Sequence, residues 1–128
     1  MARILIAEDE VAIRDLVVRA LLQDGYDVMT ANDGAEALDV LVRERGAFAL
    51  LLTDIRMPVM DGIALALAAA RDHPDITILL MTGYADQRER ASGLNMLIHD
   101  VITKPFTLEA VRAAVNEALA AGAQRRRR

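Results

Sequence analysis

The sequence predicts an α/β fold in which a doubly wound, five-stranded parallel sheet is covered by helices on both faces. Three observations lead to this prediction. Short apolar runs alternate with amphipathic segments of helical periodicity along the 128 residues. The runs at 50–53 and 76–81 lack polar alternation, as expected of strands buried on both faces. Capping and turn residues separate the segments, and strands joined through helices form a parallel sheet with right-handed crossovers.

Five strands and five helices are predicted in alternation. The strands are expected at residues 3–7, 26–30, 50–53, 76–81 and 101–103. The helices are expected at residues 11–23, from 33 to before Gly46, and at 61–71, 86–95 and 107–120. Asp33 and Glu36 have the spacing of a capping box, and Thr107 caps the last helix. We expect the strand order 2-1-3-4-5, which is common in doubly wound sheets and opens its crevice between strands 1 and 3.

Length and charge give the domain organisation. We expect residues 1–121 to form one domain and residues 122–128 to form a basic, disordered tail that ends in four arginines. The formal net charge is −4, and the body without those four arginines carries −8. Such an acidic body is a poor partner for nucleic acid, because duplex affinity depends on neutralising phosphates.

Composition excludes several other classes of protein. The chain has no cysteine, so disulfides, thiol catalysis and cysteine-ligated zinc are excluded. No signal-peptide pattern is visible, and no apolar run approaches the roughly 18 residues of a membrane helix. We therefore expect a cytoplasmic protein that makes no membrane contact.

Polar residues stand where the predicted strands end. Glu8 and Asp9 follow the first strand, Asp54 the third, Thr82 the fourth and Lys104, the only lysine of the chain, the fifth. Because parallel strands finish at the same edge of a sheet, these side chains are expected in one crevice. Three carboxylates there repel one another, and a hard divalent cation such as Mg²⁺ compensates for this. With the ion bound, one carboxylate can attack phosphorus while an ammonium neutralises phosphoryl oxygens.

Four segments, each at a predicted strand end, together resemble the receiver family of response regulators typified by CheY. In chain order they are residues Ile4 to Glu10, Leu52 to Gly62, Met81 to Gly83 and Thr103 to Phe106. The resemblance spans the chain apart from its tail. It implies a flavodoxin-like, CheY-like (βα)5 fold.

The resemblance also implies a role for three residues in phosphoryl chemistry. Asp54 is implied as the phosphoacceptor, Thr82 as the switch hydroxyl and Lys104 as the partner of the phosphoryl group. A cis peptide bond is implied before Pro105. The activity implied is limited to Mg²⁺-dependent self-phosphorylation and self-dephosphorylation of Asp54, so the protein is not expected to be an enzyme in the usual sense.

Mg²⁺ is the cofactor that the resemblance implies. Glu8 and Asp9 correspond to the family's acidic pair, with Asp9 as a direct ligand of the ion. Asp54 is a second ligand, and the backbone carbonyl of Arg56 is implied as a third. No cofactor other than the metal is expected.

A stand-alone receiver implies a single-domain response regulator of a two-component or phosphorelay system. The phosphoryl donor is expected to be a histidine kinase or a histidine phosphotransfer protein. The signal is expected to leave through phosphorylation-dependent binding of a partner protein to the face made by the fourth helix, the fifth strand and the last helix. Residues 1–83 are loosely similar to single-domain regulators of proteolysis, which suggests a partner in a protease system. A phosphorelay shuttle or a motor-binding regulator would need the same site, so the downstream partner stays unidentified.

Two departures from the family pattern leave alternatives open. Val101 stands where most receivers carry a tyrosine or phenylalanine that moves with the switch threonine. Tyr84 is a hypothetical substitute for that ring, and a degenerate receiver that binds partners without phosphorylation is the alternative function. An aspartyl phosphohydrolase would need a second acid where Arg56 stands, and this disfavours an enzyme. Arg56 is also bulkier than the residue usual at this position, which could alter phosphoryl lifetime.

Overall fold

A computed structural model of the chain describes residues 2–83, 91–94 and 96–126. The strands are β1 (Arg3–Ala7), β2 (Asp27–Ala31), β3 (Leu50–Asp54), β4 (Thr77–Thr82) and β5 (Asp100–Thr103). The helices within the described residues are α1 (Val11–Gln23), α2 (Gly34–Arg43), α3 (Gly62–Asp72), a short 3₁₀ turn (Ser92–Leu94) and a C-terminal helix (Leu108–Arg126). No helix among these residues is both long and apolar enough to cross a membrane.

The five strands form one parallel sheet in the order β2-β1-β3-β4-β5, which confirms the predicted fold class and strand order. The register aligns the carboxyl ends of the inner strands. Ala7 of β1 pairs with Thr53 of β3, and Thr82 of β4 pairs with Thr103 of β5. The residues that follow these strands therefore meet at one edge of the sheet, as the sequence predicts.

Alternating side chains of the strands pack into two aliphatic layers. On one face, Leu5 and Leu51 join a buried cluster with the inward residues of α2 and α3. On the other face, Ile4 and Leu52 join a cluster with α1 and the C-terminal helix. All five residues of β3 are buried, which agrees with the prediction of a strand covered on both faces.

Side-chain caps begin three of the helices as the residue types predict. The Asp33 carboxylate accepts a hydrogen bond from the Glu36 N–H at 2.8 Å, at the start of α2. The Asp61 carboxylate accepts one from the Ala64 N–H at 2.8 Å, at the start of α3. The Thr107 hydroxyl oxygen accepts one from the N–H of residue 110 at 3.0 Å. Each cap satisfies an N–H that has no partner within its helix.

The C-terminal helix corrects the prediction for the end of the chain. It continues to Arg126 rather than ending near residue 120, so residues 122–126 are helical and not a disordered tail. Gly122 packs against β4, where an added Cβ would lie 2.2 Å from the Thr77 hydroxyl oxygen. The Arg125 guanidinium donates to that hydroxyl oxygen at 3.3 Å, and Arg126 donates to the Asp75 carbonyl at 3.2 Å. These tertiary contacts hold the last helical turn.

The predicted fourth helix, at residues 86–95, is described only at residues 91–94, and Tyr84 lies outside the described residues.

The loop between β3 and α3 folds back onto the end of β3. The Gly62 N–H donates to the Ile55 carbonyl at 2.8 Å. A Cβ at Gly62 would lie only 2.0 Å from the Asp54 carbonyl oxygen. The Gly34 N–H holds the same loop from the other side, by donating to the Met60 carbonyl at 3.1 Å. Glycine at 62 is therefore what allows α3 to begin directly against Asp54.

Substitution Gly62→Ala should destabilise the fold, because the added methyl group collides with backbone rather than with a side chain that can rotate away. We expect the free energy of unfolding to fall by about 2 kcal/mol, within the range for overpacking. Urea denaturation measures the change. Gly93→Ala is the matched control, since an added Cβ there meets no atom of the described residues within 4 Å, and it should stay within about 0.5 kcal/mol of wild type. Equal stability of the two variants would contradict the close approach.

Candidate functional site

Two buried carboxylates stand side by side at the carboxyl edge of the sheet. Glu8 follows β1 and is 0% exposed, and Asp54 ends β3 and is 5% exposed. The Glu8 N–H donates to the Ala31 carbonyl at 3.1 Å, which extends the β1–β2 pairing by one residue. The Thr53 hydroxyl donates to the Asp54 carbonyl at 2.9 Å. Strand pairing and these bonds fix the backbone from which both carboxylates project.

Lys104 bridges the two carboxylates. Its Nζ lies 2.9 Å from Oδ2 of Asp54 and 3.1 Å from Oε1 of Glu8. The Lys104 N–H donates to the Thr82 carbonyl at 2.7 Å, so β4 positions the lysine backbone. The peptide bond from Lys104 to Pro105 is cis, as the sequence resemblance implies. The ammonium thereby joins the ends of β1, β3 and β5.

Three carboxylates form the acidic cluster that the sequence predicts. Glu8, Asp9 and Asp54 each offer an oxygen, and these oxygens lie within 4.8 Å of one another. Asp9 is exposed and open to solvent, whereas the other two are buried. A hard divalent cation favours such an all-oxygen set with room left for water. The residues present therefore fit Mg²⁺.

A cavity of about 610 Å³ opens beside this cluster. Its polar wall includes Asp9, Asp54, Arg56 and Lys104. The lining also includes apolar residues, namely Ile13, Leu16, Pro105 and Phe106. Because Asp54 and Arg56 both line the cavity, a ligand that enters it from solution reaches the Asp54 carboxylate beside Arg56.

The protonation of the bridged groups is shifted by burial and by their mutual contacts. The pKa of Glu8 is raised to about 7, mainly by burial and then by the neighbouring Asp54 charge, while the Glu10 N–H and Lys104 partly oppose the rise. Burial works against the charge of Lys104, but its hydrogen bonds and attraction to Asp54 and then Glu8 outweigh it, so its pKa is raised. Lys104 is therefore a cation at neutral pH, and Glu8 titrates near neutrality in the absence of a metal.

The predicted switch positions are placed at the same edge of the sheet. Thr82 is 2% exposed at the end of β4. Val101 of β5 pairs with Leu80 of β4 and packs, partly buried, against the cluster shared with α2 and α3. The hypothesis for Tyr84 concerns a residue outside the described ones.

Sequence reasoning missed two residues that contact this site. Arg14 of α1 donates from Nη1 to the Glu8 carbonyl at 3.2 Å and to Oδ1 of Asn32. The only signal in the sequence is an arginine one helical turn into α1, which is common in amphipathic helices. The contact with Asn32, 18 residues away, depends on how the β2–α2 loop is placed.

Comparison with known proteins gives consistent results. Residues 4–116 match the family described as the response regulator receiver domain. The response regulator receiver protein CpdR of Brucella abortus is 43% identical over 117 residues, which cover 91% of this chain and 93% of CpdR. The response regulator MprA of Mycobacterium leprae is 36% identical over 117 residues, but the chain spans only 50% of MprA.

Solved structures show the same architecture. A CheY-like receiver domain protein from Methanospirillum hungatei superposes with a TM-score of 0.88 at 30% identity, covering 98% of both chains. The response regulator TrrA of Thermotoga maritima, solved in complex with Mg²⁺ and BeF, superposes with a TM-score of 0.81 at 30% identity. That alignment covers 92% of this chain and 99% of TrrA.

The raised pKa of Glu8 predicts a pH dependence of stability in Mg²⁺-free protein. Between about pH 4.5 and pH 7 the unfolded chain loses the Glu8 proton while the folded chain retains it. Stability therefore falls as pH rises through this window, by up to about 3 kcal/mol from this group. Substitution Glu8→Gln removes the titrating group and should flatten that part of the profile. Urea denaturation at a series of pH values measures this, and a profile parallel to wild type would contradict the assignment.

Proposed function

The chain belongs to the response regulator receiver domain family, and we propose that it is a phosphorylation switch in which Asp54 accepts a phosphoryl group. One observation carries the proposal. The Asp54 carboxylate lies 2.9 Å from the ammonium of the only lysine and within a cluster of three carboxylates beside an open cavity. Phosphoryl transfer needs such a nucleophile beside groups that neutralise the phosphoryl oxygens. The donor is a histidine kinase or a histidine phosphotransfer protein.

Asp9, Asp54 and the backbone carbonyl of Arg56 would hold Mg²⁺, with Glu8 completing the acidic set. The fit rests on the clustered oxygens and on the exposed position of Asp9. When bound, the ion supplies positive charge to the phosphoryl oxygens and offsets the repulsion among the carboxylates. The capture of the related TrrA with Mg²⁺ and BeF supports this assignment.

The chain's own residues have separate parts in the transfer. An oxygen of Asp54 forms the new bond to phosphorus as the bond between phosphorus and the donor nitrogen breaks. Lys104, already 2.9 Å from that carboxylate, then pairs with a phosphoryl oxygen. Arg56 lines the same cavity as Asp54 and is placed to affect hydrolysis of the acyl phosphate.

The output is a change in which protein is bound. The Thr82 hydroxyl, at the end of β4, is drawn towards the new phosphoryl oxygens. The change then reaches β5, the C-terminal helix and the segment before β5. The partner is a member of a protease system or of a phosphorelay.

Substitution Asp54→Asn should abolish phosphorylation, because the amide is a poor nucleophile and lacks the charge that pairs with Lys104. Incubation with radiolabelled acetyl phosphate and Mg²⁺ measures incorporation. Asp39→Asn, at an exposed position on α2, is the matched control and should label like wild type, and a metal chelator should suppress labelling of both. Undiminished labelling of Asp54→Asn would refute the assignment of the acceptor.

Substitution Thr82→Ala should uncouple phosphorylation from output while leaving labelling of Asp54 intact. Addition of Mg²⁺ and beryllofluoride to wild type is expected to shift amide NMR signals of β5 and the C-terminal helix. In Thr82→Ala the shifts should be confined to residues near the metal site and disappear from β5 and the C-terminal helix. Thr82→Ser, which keeps the hydroxyl, should restore them. If wild type itself shows no shift on that face, the protein is instead a phosphorylation-independent binding module, as the valine at 101 would allow.

A further inference from the structure

We propose that Arg14 is a positioning residue for the metal site, tying the acidic pair to the β2–α2 loop through Asn32. The inference rests on the proposed Mg²⁺ site. Arg14 uses one nitrogen, Nη1, to donate to the Glu8 carbonyl at 3.2 Å and to Oδ1 of Asn32. It therefore joins the turn that carries Glu8 and Asp9 to the loop between β2 and α2.

The turn after β1 is where this tie acts. The Glu8 N–H is held by the Ala31 carbonyl at 3.1 Å, and the Glu8 carbonyl is held by Arg14 at 3.2 Å. Within the described part of the chain, the Asp9 side chain makes no hydrogen bond or ion pair. Its position towards a metal therefore depends on the orientation of its own backbone, which begins at the Glu8 carbonyl. Arg14 is the side chain that fixes that carbonyl.

Asn32 is itself held in place, so its contact with Arg14 restrains the guanidinium. Nδ2 of Asn32 donates to Oε2 of Glu36 at 3.1 Å. The N–H of Glu36 is in turn held by the Asp33 cap at 2.8 Å. The Asn32 side chain is thus oriented with its oxygen towards Arg14, and the amide is anchored to the first turn of α2.

The charge of Arg14 gives the inference a sign that can be tested. The Arg14 guanidinium, which is bonded to the turn that carries the acidic pair, repels a divalent cation. Coulomb interaction alone therefore predicts that removal of Arg14 tightens Mg²⁺ binding. Positioning of Asp9 predicts the opposite. Asn32 carries no charge, so its removal tests the positioning effect without the electrostatic one.

The experiment measures binding of Mg²⁺ alone to unphosphorylated protein, by calorimetry or amide NMR titration at constant ionic strength. We expect Arg14→Ala and Asn32→Ala each to weaken binding by about tenfold, at the lower end of losses for residues behind metal ligands. Arg14→Lys should recover part of the affinity. The double variant should lose no more than Arg14→Ala, because both residues act through one tie.

Arg19→Ala is the matched control, because Arg19 is exposed on the same helix and the described residues offer it no hydrogen bond or ion pair. It should not weaken Mg²⁺ binding. Thermal unfolding confirms that each variant is folded. If Arg14→Ala does not fold, Asn32→Ala still tests the positioning role, because Asn32 is exposed. If wild type binds Mg²⁺ and both Asn32→Ala and Arg14→Ala bind it equally well or more tightly, the positioning role is wrong but the metal site stands. Failure of wild type to bind Mg²⁺ overturns the proposed metal site and this inference together.

Discussion

The pair of contacts from one ammonium to two buried carboxylates is the interaction on which this edge of the molecule depends. Lys104 lies within 3.1 Å of both Glu8, which follows β1, and Asp54, which ends the neighbouring β3. Two ionised carboxylates cannot share a buried position without compensation. Here the lysine supplies one positive charge, and Glu8 retains its proton up to about pH 7. Once Glu8 also loses its proton, one ammonium faces two carboxylate charges, and a divalent cation adds positive charge that the lysine alone does not supply.

The fold was largely predictable from the sequence because its strands and helices differ strongly in pattern. The predicted bounds of β1 and α1 agree with the structure, and the other described strands shift by a residue or so. Right-handed crossovers left few topologies, and the observed strand order is one of the two that are common in doubly wound sheets. The end of the last helix was not predictable, because Gly122 in an alanine-rich stretch has the properties of a helix end. Its position is decided by the contact with Thr77, which lies 45 residues earlier and is visible only in the folded chain.

The sequence predicts which side chains form the candidate site, but not the contacts that hold those side chains in place. Residues that follow parallel strands must meet, so Asp54 and Lys104 were expected together. The bridge from Lys104 to Glu8, the close approach of Gly62 and the tie from Arg14 to Asn32 each depend on loop geometry. Sequence patterns report which side chains a strand end carries. They do not report which backbone groups hold those side chains in place.

The solitary lysine has a practical consequence for chemistry carried out on the protein. Lys104 is the only lysine of the chain and its side chain is 16% exposed. Reagents that acylate amines therefore have two sites at most, this ammonium and the chain's α-amino group. Acylation of Lys104 would remove the positive charge that Glu8 and Asp54 share, so coupling through amines alters this site whenever it reaches the lysine rather than the α-amino group. The same selectivity makes the rate of acylation a direct report on whether the lysine is engaged by its carboxylates or released.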